Sequence, residues 1–117
     1  KRVEKTAKGT GNYVSNMNAT DILWKAKSSS KGNTTIGSAT RQEAWEAGKA
    51  WVGPNANPIY KKKTSELMGY NSLDGSRTFR LDFKPRENMV RANFQEFTRK
   101  WGDGKWIPVK NAHIDIK

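Results

Sequence analysis

His113 is the only histidine in this 117-residue chain, and no cysteine is present. Its imidazole is therefore the one side chain whose reference pKa lies near neutrality, where proton transfer in both directions is easiest. It belongs to a short alternating segment, residues 111–117, in which Ala112, Ile114 and Ile116 form one row and His113 and Asp115 the other. Two upstream segments have the same pattern. In 77–84 Phe79, Leu81 and Phe83 alternate with Thr78, Arg80 and Asp82; in 89–97 Val90, Ala92 and Phe94 alternate with Arg91, Asn93 and Gln95. Side chains alternate faces along a strand, so each segment buries one row and presents the other. Paired in one sheet, Arg80, Arg91, Asn93, Gln95, His113 and Asp115 share a solvent-facing surface.

Those side chains suit RNA cleavage. RNA carries its own nucleophile, the 2′-hydroxyl, so an enzyme must take that proton, hold the charge developing on phosphorus, and protonate the leaving 5′-oxygen. Imidazole performs proton transfers near neutral pH. Arginine grips phosphate oxygens with two parallel donors and stays charged. The catalytic candidates are His113, Arg80 as clamp, Asp115 to orient the imidazole or raise its pKa, and Asn93 on a base edge or phosphate. Arg77, Arg91, Thr78, Gln95, Lys84 and the run Lys61-Lys62-Lys63 are the candidates for holding RNA. No metal ligands and no cofactor are called for. One histidine is thin for zinc, the acidic residues of the second half are scattered, and no phosphate-cradling glycine loop follows a credible strand.

Charge points the same way. Twenty-two Lys and Arg against eleven Asp and Glu give +11. Residues 1–50 carry nine basic and four acidic groups and residues 51–117 thirteen and seven, so the surplus is spread along the chain. Such a surface attracts polyanions, nucleic acid first among them; an acidic protein partner also fits. No apolar run approaches the ~20 residues that span a bilayer, and no signal peptide is recognised.

The elements that must position these residues read as one domain over 1–117. Residues 1–18 are a polar, loose leader with an ordered turn near Tyr13 and Val14. Residues 19–53 are the helical part, with Thr20 capping a short first helix and a loop through residues 27–38. Thr40-Arg41-Gln42-Glu43 fits a capping box. Ala44, Ala47, Gly48 and Trp51 then form one apolar face, and Gly53-Pro54 stops the helix. Residues 55–63 read as loop, and 65–70 fit a strand or a turn of helix equally. Residues 65–117 form a meander, with a hairpin at Asp74-Gly75 and a second tip at 101–106 where Trp101 and Trp106 pair across strands. The expected fold is α+β, with N-terminal helices on one face of a twisted antiparallel sheet.

The runs Asp74-Gly75-Ser76-Arg77-Thr78-Phe79-Arg80, Arg91-Ala92-Asn93-Phe94 and Ala112-His113-Ile114-Asp115-Ile116 resemble the C-terminal toxin domains of bacterial polymorphic toxins, of the contact-dependent inhibition and Rhs types. They are similar to the superfamily of barnase, EndoU, the tRNA-cleaving colicins and RelE, over roughly residues 40–117. The resemblance implies a metal-independent ribonuclease acting on tRNA, with His113 as general acid/base and Arg80 as phosphate clamp. It also implies a cut at Lys1 from a larger secreted or cell-surface effector, action in the target-cell cytoplasm, and a cognate immunity protein. A translation elongation factor assists some of these toxins. Barnase-like enzymes use a strand glutamate as base, whereas Glu96 here falls on the inward row. The alternatives are a non-catalytic RNA- or ribosome-binding module and a metal-dependent DNase toxin.

Overall fold

The structure, a computed structural model, describes residues 13–117. The chain runs α1 (Ala19–Ser28), β1 (Gly32–Ala39), α2 (Arg41–Val52), β2 (Asn57–Tyr60), β3 (Leu67–Asn71), β4 (Arg77–Lys84), β5 (Met89–Arg99) and β6 (Trp106–Ile116). The six strands form one sheet in the order β1-β6-β5-β4-β3-β2. Every pairing is antiparallel except β1 with β6, which is parallel. The fold class is α+β, as expected, but the sheet is mixed rather than antiparallel.

Helix α2 seats the sheet. Thr40 accepts the Glu43 amide at 3.2 Å, the hydroxyl half of the expected capping box. Glu43 does not complete that box; its carboxylate accepts the Ala19 amide at 2.7 Å and ties the starts of the two helices together. Ala44, Ala47, Gly48 and Trp51 are all buried, and Gly53 ends the helix at φ +80. Gly48 is needed for close approach, because a Cβ there would overlap the Phe79 ring. The Trp51 indole N–H donates to the Thr78 and Gln95 carbonyls, both at 3.2 Å, so the helix is bonded to β4 and β5 as well as packed on them. Phe79, Leu81, Ala92, Phe94, Ala112 and Ile114 complete the core from the sheet side. Trp45 joins it edge-on to Phe79, with ring centroids 5.3 Å apart.

Five readings of the sequence are corrected. The stretch taken as loop in 27–38 holds β1, so the helical part is interrupted by a strand. Its Thr34-Thr35-Ile36 core is β-branched, but the burial of β1 rises along its length instead of alternating, so no period of two announces it. Helix α1 is capped by Asn18, whose side chain accepts the Asp21 amide at 2.8 Å, and not by Thr20. Residues 13–18 are docked: Val14 bridges Gly37, Met17 donates its amide to Ser38 at 2.8 Å, and the Met17 side chain is buried. The rest of the leader lies outside the described residues. At the β5–β6 tip Trp106 pairs with Arg99, whose guanidinium sits 4.6 Å from its ring centroid, while Trp101 is 97% exposed. The Asp74-Gly75 hairpin forms as expected, with Gly75 at φ +84. Strands β2 and β3 occupy the segments read as loop and left undecided.

Candidate functional site

Residues paired across neighbouring strands project to the same face, so the register defines what the sheet presents opposite its helices. Three rows result. The first runs Asn71–Thr78–Gln95–Asn111–Asn33 and carries no charge. The second runs Arg80–Asn93–His113–Thr35, and the third Asp82–Arg91–Asp115–Ser38. The alternation in the sequence thus brings Arg80, Arg91, Asn93, Gln95, His113 and Asp115 onto one surface. Thr78 and Lys84 share it by parity.

The two arginines of this face are already engaged. Arg80 donates to Asp82 through Nε at 3.1 Å and through a terminal nitrogen at 3.3 Å. Asn93 donates to the same carboxylate at 2.7 Å and is itself buried, at 5% exposure. Arg91 donates through Nε to Asp115 Oδ1 at 3.2 Å, and the Tyr13 hydroxyl donates to Asp115 Oδ2 at 2.8 Å. In both arginines the side edge of the guanidinium is used, which leaves donors on the end of the fork. Thr78 is likewise buried and donates to Asn71 at 2.8 Å. Asn93 and Thr78 therefore form the floor of the face.

His113 sits between Asn93 and Thr35, half-buried. Its Nδ1 is buried without a hydrogen-bond partner among the described residues. Burial pushes its pKa below the usual imidazole value, and the nearby Arg91 and Lys84 charges push it further; Asp115 pulls weakly the other way. The imidazole is thus neutral at pH 7. Of the two roles expected of Asp115, orienting the imidazole finds no hydrogen bond to support it, since Arg91 and Tyr13 donate to its two oxygens; its charge does raise the His113 pKa, but burial, Arg91 and Lys84 outweigh it. The same bond to Asp115, after burial, raises the Tyr13 pKa.

Two sets of expected binding residues lie elsewhere. Arg77 projects to the helix side, with its guanidinium 4.1 Å from the Trp51 ring centroid, a donor 3.3 Å from the Trp51 carbonyl, and Glu96 at 3.8 Å. Alternation from Phe79 demands this, since Arg77 has the parity of the buried row. Glu96 pairs with Arg77 and lies on the same side, beside a cavity of about 580 Å³ at the end of α2. Lys61, Lys62 and Lys63 are exposed in the β2–β3 turn, where Lys61 meets Glu66 at 3.5 Å. That turn hangs from the opposite edge of the sheet, four strands from β6.

Several members of the site escaped sequence reading. Asn111 has the parity of His113 and was within reach of that argument. Asn33, Thr35 and Ser38 enter only through the parallel pairing of β1, and Tyr13 had no local signal. Among the described residues no three His, Asp or Glu side chains converge as a metal centre requires. No family model and no curated protein matches the chain.

Proposed function

We propose that the face of Arg80, Asn93, His113, Arg91 and Lys84 is an RNA-cleaving site that works without metal. The observation that carries the reading is the setting of His113, a neutral imidazole flanked by two cations in a chain of charge +11. With Nδ1 buried, Nε2 is the nitrogen left to meet a substrate. It takes the proton of the 2′-hydroxyl; the 2′-oxygen attacks phosphorus; and the bond to the 5′-oxygen breaks, leaving a 2′,3′-cyclic phosphate. The imidazolium so formed returns its proton to the 5′-oxygen. A depressed pKa keeps the base unprotonated at pH 7 and makes its conjugate acid a better donor. The free fork ends of Arg80 and Arg91, with Lys84, stabilise the dianionic phosphorane.

The wider setting belongs to the same proposal and rests on the resemblance of the three sequence runs. In it the chain is a toxin domain of the barnase-like superfamily, cleaving tRNA or another RNA in a target cell. A cognate immunity protein, acidic where it touches the cations, blocks the face, and an elongation factor of the target cell assists cleavage. One observation favours a second reading, a non-catalytic RNA-binding module: Arg80 and Arg91 are each neutralised by a carboxylate of the chain itself.

The deciding experiment incubates the protein with total RNA, with and without EDTA and with and without cell extract, beside His113→Ala. Cleavage in EDTA that falls by ~10²–10⁴ in the folded variant supports the nuclease, that being the usual cost of removing a general acid/base. Binding without cleavage in every condition supports the second reading. Undiminished cleavage by His113→Ala sinks the assignment of the imidazole.

A further inference from the structure

The β5–β6 hairpin outruns the sheet that carries it. Pairing of β4 with β5 stops at Arg77 and Glu96, and β1 joins β6 only from Lys110 onward, yet β5 and β6 stay paired as far as Arg99 and Trp106. Residues 97–109 are thus a two-stranded ribbon with no strand on either side among the described residues. Its base is anchored by the Phe97 amide, which donates to the Ser76 carbonyl at 2.8 Å. Glu96 pairs with Lys110 and Phe97 with Pro108, so Val109 is an extra residue where the ribbon leaves the sheet, and such a bulge bends a strand. The tip is ordered by its own hydrogen bonds. The Lys100 amide donates to the Lys105 carbonyl at 2.7 Å, the Gly104 amide to the Lys100 carbonyl at 3.1 Å, and the Lys105 amide to the Asp103 carboxylate at 2.9 Å. This frame holds Trp101 97% exposed, with Trp106 and Ile107 also exposed behind it. An indole so placed adds nothing to the core, and large apolar side chains gathered on an ordered projection mark a binding surface.

We propose that this ribbon is an arm that binds unpaired RNA, with Trp101 as a platform on which a base stacks. The proposal rests on the reading of the chain as one that meets RNA, and it puts part of that contact away from His113. Charge selects the partner. The ribbon carries Arg99, Lys100 and Lys105 against Asp103 alone, a net charge of +2, which favours a polyanion. Lys100 meets Asp103 at 3.7 Å, so Arg99 and Lys105 are the surplus. Unpaired nucleic acid joins to its phosphates the flat faces of its bases, which stack on an aromatic ring while the cations follow the backbone. A duplex keeps those faces covered by neighbouring bases. Arg99 lies over the Trp106 ring, 4.6 Å from its centroid, which sets a cation and a second indole behind the platform. A strand from a partner protein fits poorly, because Pro108 has no N–H to offer and the cations guard the edge. A bilayer also fits poorly, since sinking Trp101 would bring Asp103 and the polar backbone of its turn to an anionic surface. The same two strands carry Arg91, Asn93 and His113, so one RNA strand can follow them from arm to face. From Trp106 to His113 is about 20 Å along β6, a span of several nucleotides.

The test is fluorescence anisotropy with a labelled single strand of about 16 nucleotides, the upper end of such binding sites, and with the same sequence as a duplex. Both are 2′-O-methyl RNA, which cannot be cut through its 2′-oxygen, and both are titrated with the intact protein and with Trp101→Ala. The side chain is almost wholly in solvent, so the variant keeps its fold, and circular dichroism checks that. The expected result is a loss of about 5- to 150-fold in single-strand affinity, the worth of one base stacked on an aromatic ring, with duplex binding left as it was. Single-strand affinity indifferent to Trp101→Ala overturns the arm, and so does an equal loss on single strand and duplex. Absence of single-strand binding by the intact protein also overturns it. Sedimentation with phosphatidylglycerol vesicles covers the bilayer: attachment lost in Trp101→Ala while RNA binding is unaffected overturns the RNA arm in favour of a membrane. Ordinary RNA separates the two proposals. RNA held through Trp101 but left uncut upholds the arm and fails only the nuclease reading. His113-dependent cleavage by a protein whose RNA affinity ignores Trp101 fails only the arm.

Discussion

Asp115→Asn separates two accounts of the histidine. An orienting carboxylate in a catalytic triad holds the imidazole tautomer, and its amide replacement costs ~10⁴ in rate. Here Asp115 is bonded to Arg91 at 3.2 Å and to Tyr13 at 2.8 Å, and acts on His113 only through its charge. Two residues of strand separate them by about 6.6 Å. A unit charge at that distance contributes about 0.6 kcal/mol in bulk water and about 2.5 kcal/mol at an effective dielectric of 20. These limits correspond to about 0.5 and 1.8 pKa units. Since His113 is half-buried and Arg91 offsets much of the carboxylate's field, the lower part applies, a fall of about 0.5–1 unit. Freeing Arg91 acts in the same direction.

The measurement is direct because the chain has one histidine, hence one pair of imidazole C–H signals to follow by NMR across pH. The acid limb of the cleavage profile should move down with it, while the rate at pH 7.5 falls by less than about 10-fold, because the base is already neutral there. Circular dichroism confirms that the variant folds. A His113 pKa that stays put or rises would refute the electrostatic account. So would a loss of about 10³ or more at an unchanged titration, which is the signature of an orienting group.

Arg80→Lys should lose about 10-fold or more in cleavage while unfolding in urea within about 1 kcal/mol of wild type, because an ammonium cannot serve Asp82 and a phosphate together; full activity would reduce Arg80 to a generic charge. Gly48→Ala should destabilise the fold by about 1–3 kcal/mol in the same urea assay, since overpacking against Phe79 outweighs the helix propensity gained. Folding stability should depend on His113 with a definite sign. Its folded pKa lies below the unfolded value, so the unfolded chain binds more protons in the window between them. The stability it contributes is present above about pH 6.5 and lost as pH falls through the folded pKa. Thermal melts from pH 5 to 7.5 should show a smaller slope for His113→Phe than for wild type; an equal slope would mean that another group titrates there.

Much of the face was legible because parity is a strong constraint. Once Phe79, Ala92, Phe94, Ala112 and Ile114 are assigned to the core, Arg80, Arg91, Asn93 and His113 must lie opposite. The caps Thr40 and Gly53 marked α2 for equally local reasons. Arg77 was misassigned although its parity matched Phe79, because a cation beside an exposed turn looks solvent-bound until Trp51 is placed under it. Strand β1 was not legible, since its partner lies at the far end of the chain and its polar, Gly-flanked sequence carries no period of its own. The ion pairs that occupy Arg80 and Arg91 depend on cross-strand distance, which composition does not encode. Asn111 differs from any exposed asparagine only in that one of its atoms is covered.

The parallel pairing of β1 with β6 has a consequence in time as well as in space. Gly32 faces Lys110 and Ala39 faces Ile116, so the border of the face formed by β1 is held by a strand some seventy-eight residues further along the chain. Such pairing closes a loop through nearly all of the chain between them, and contacts of that separation form slowly. A growing chain therefore has no assembled His113, Asn111 and Thr35 cluster until β6 has been made and has paired. The same delay recurs after any passage in an unfolded state. A break in the chain after Ile114 removes the partners of Ser38 and Ala39 along with Asp115, and should loosen this border of the face while sparing most of the helix-facing core.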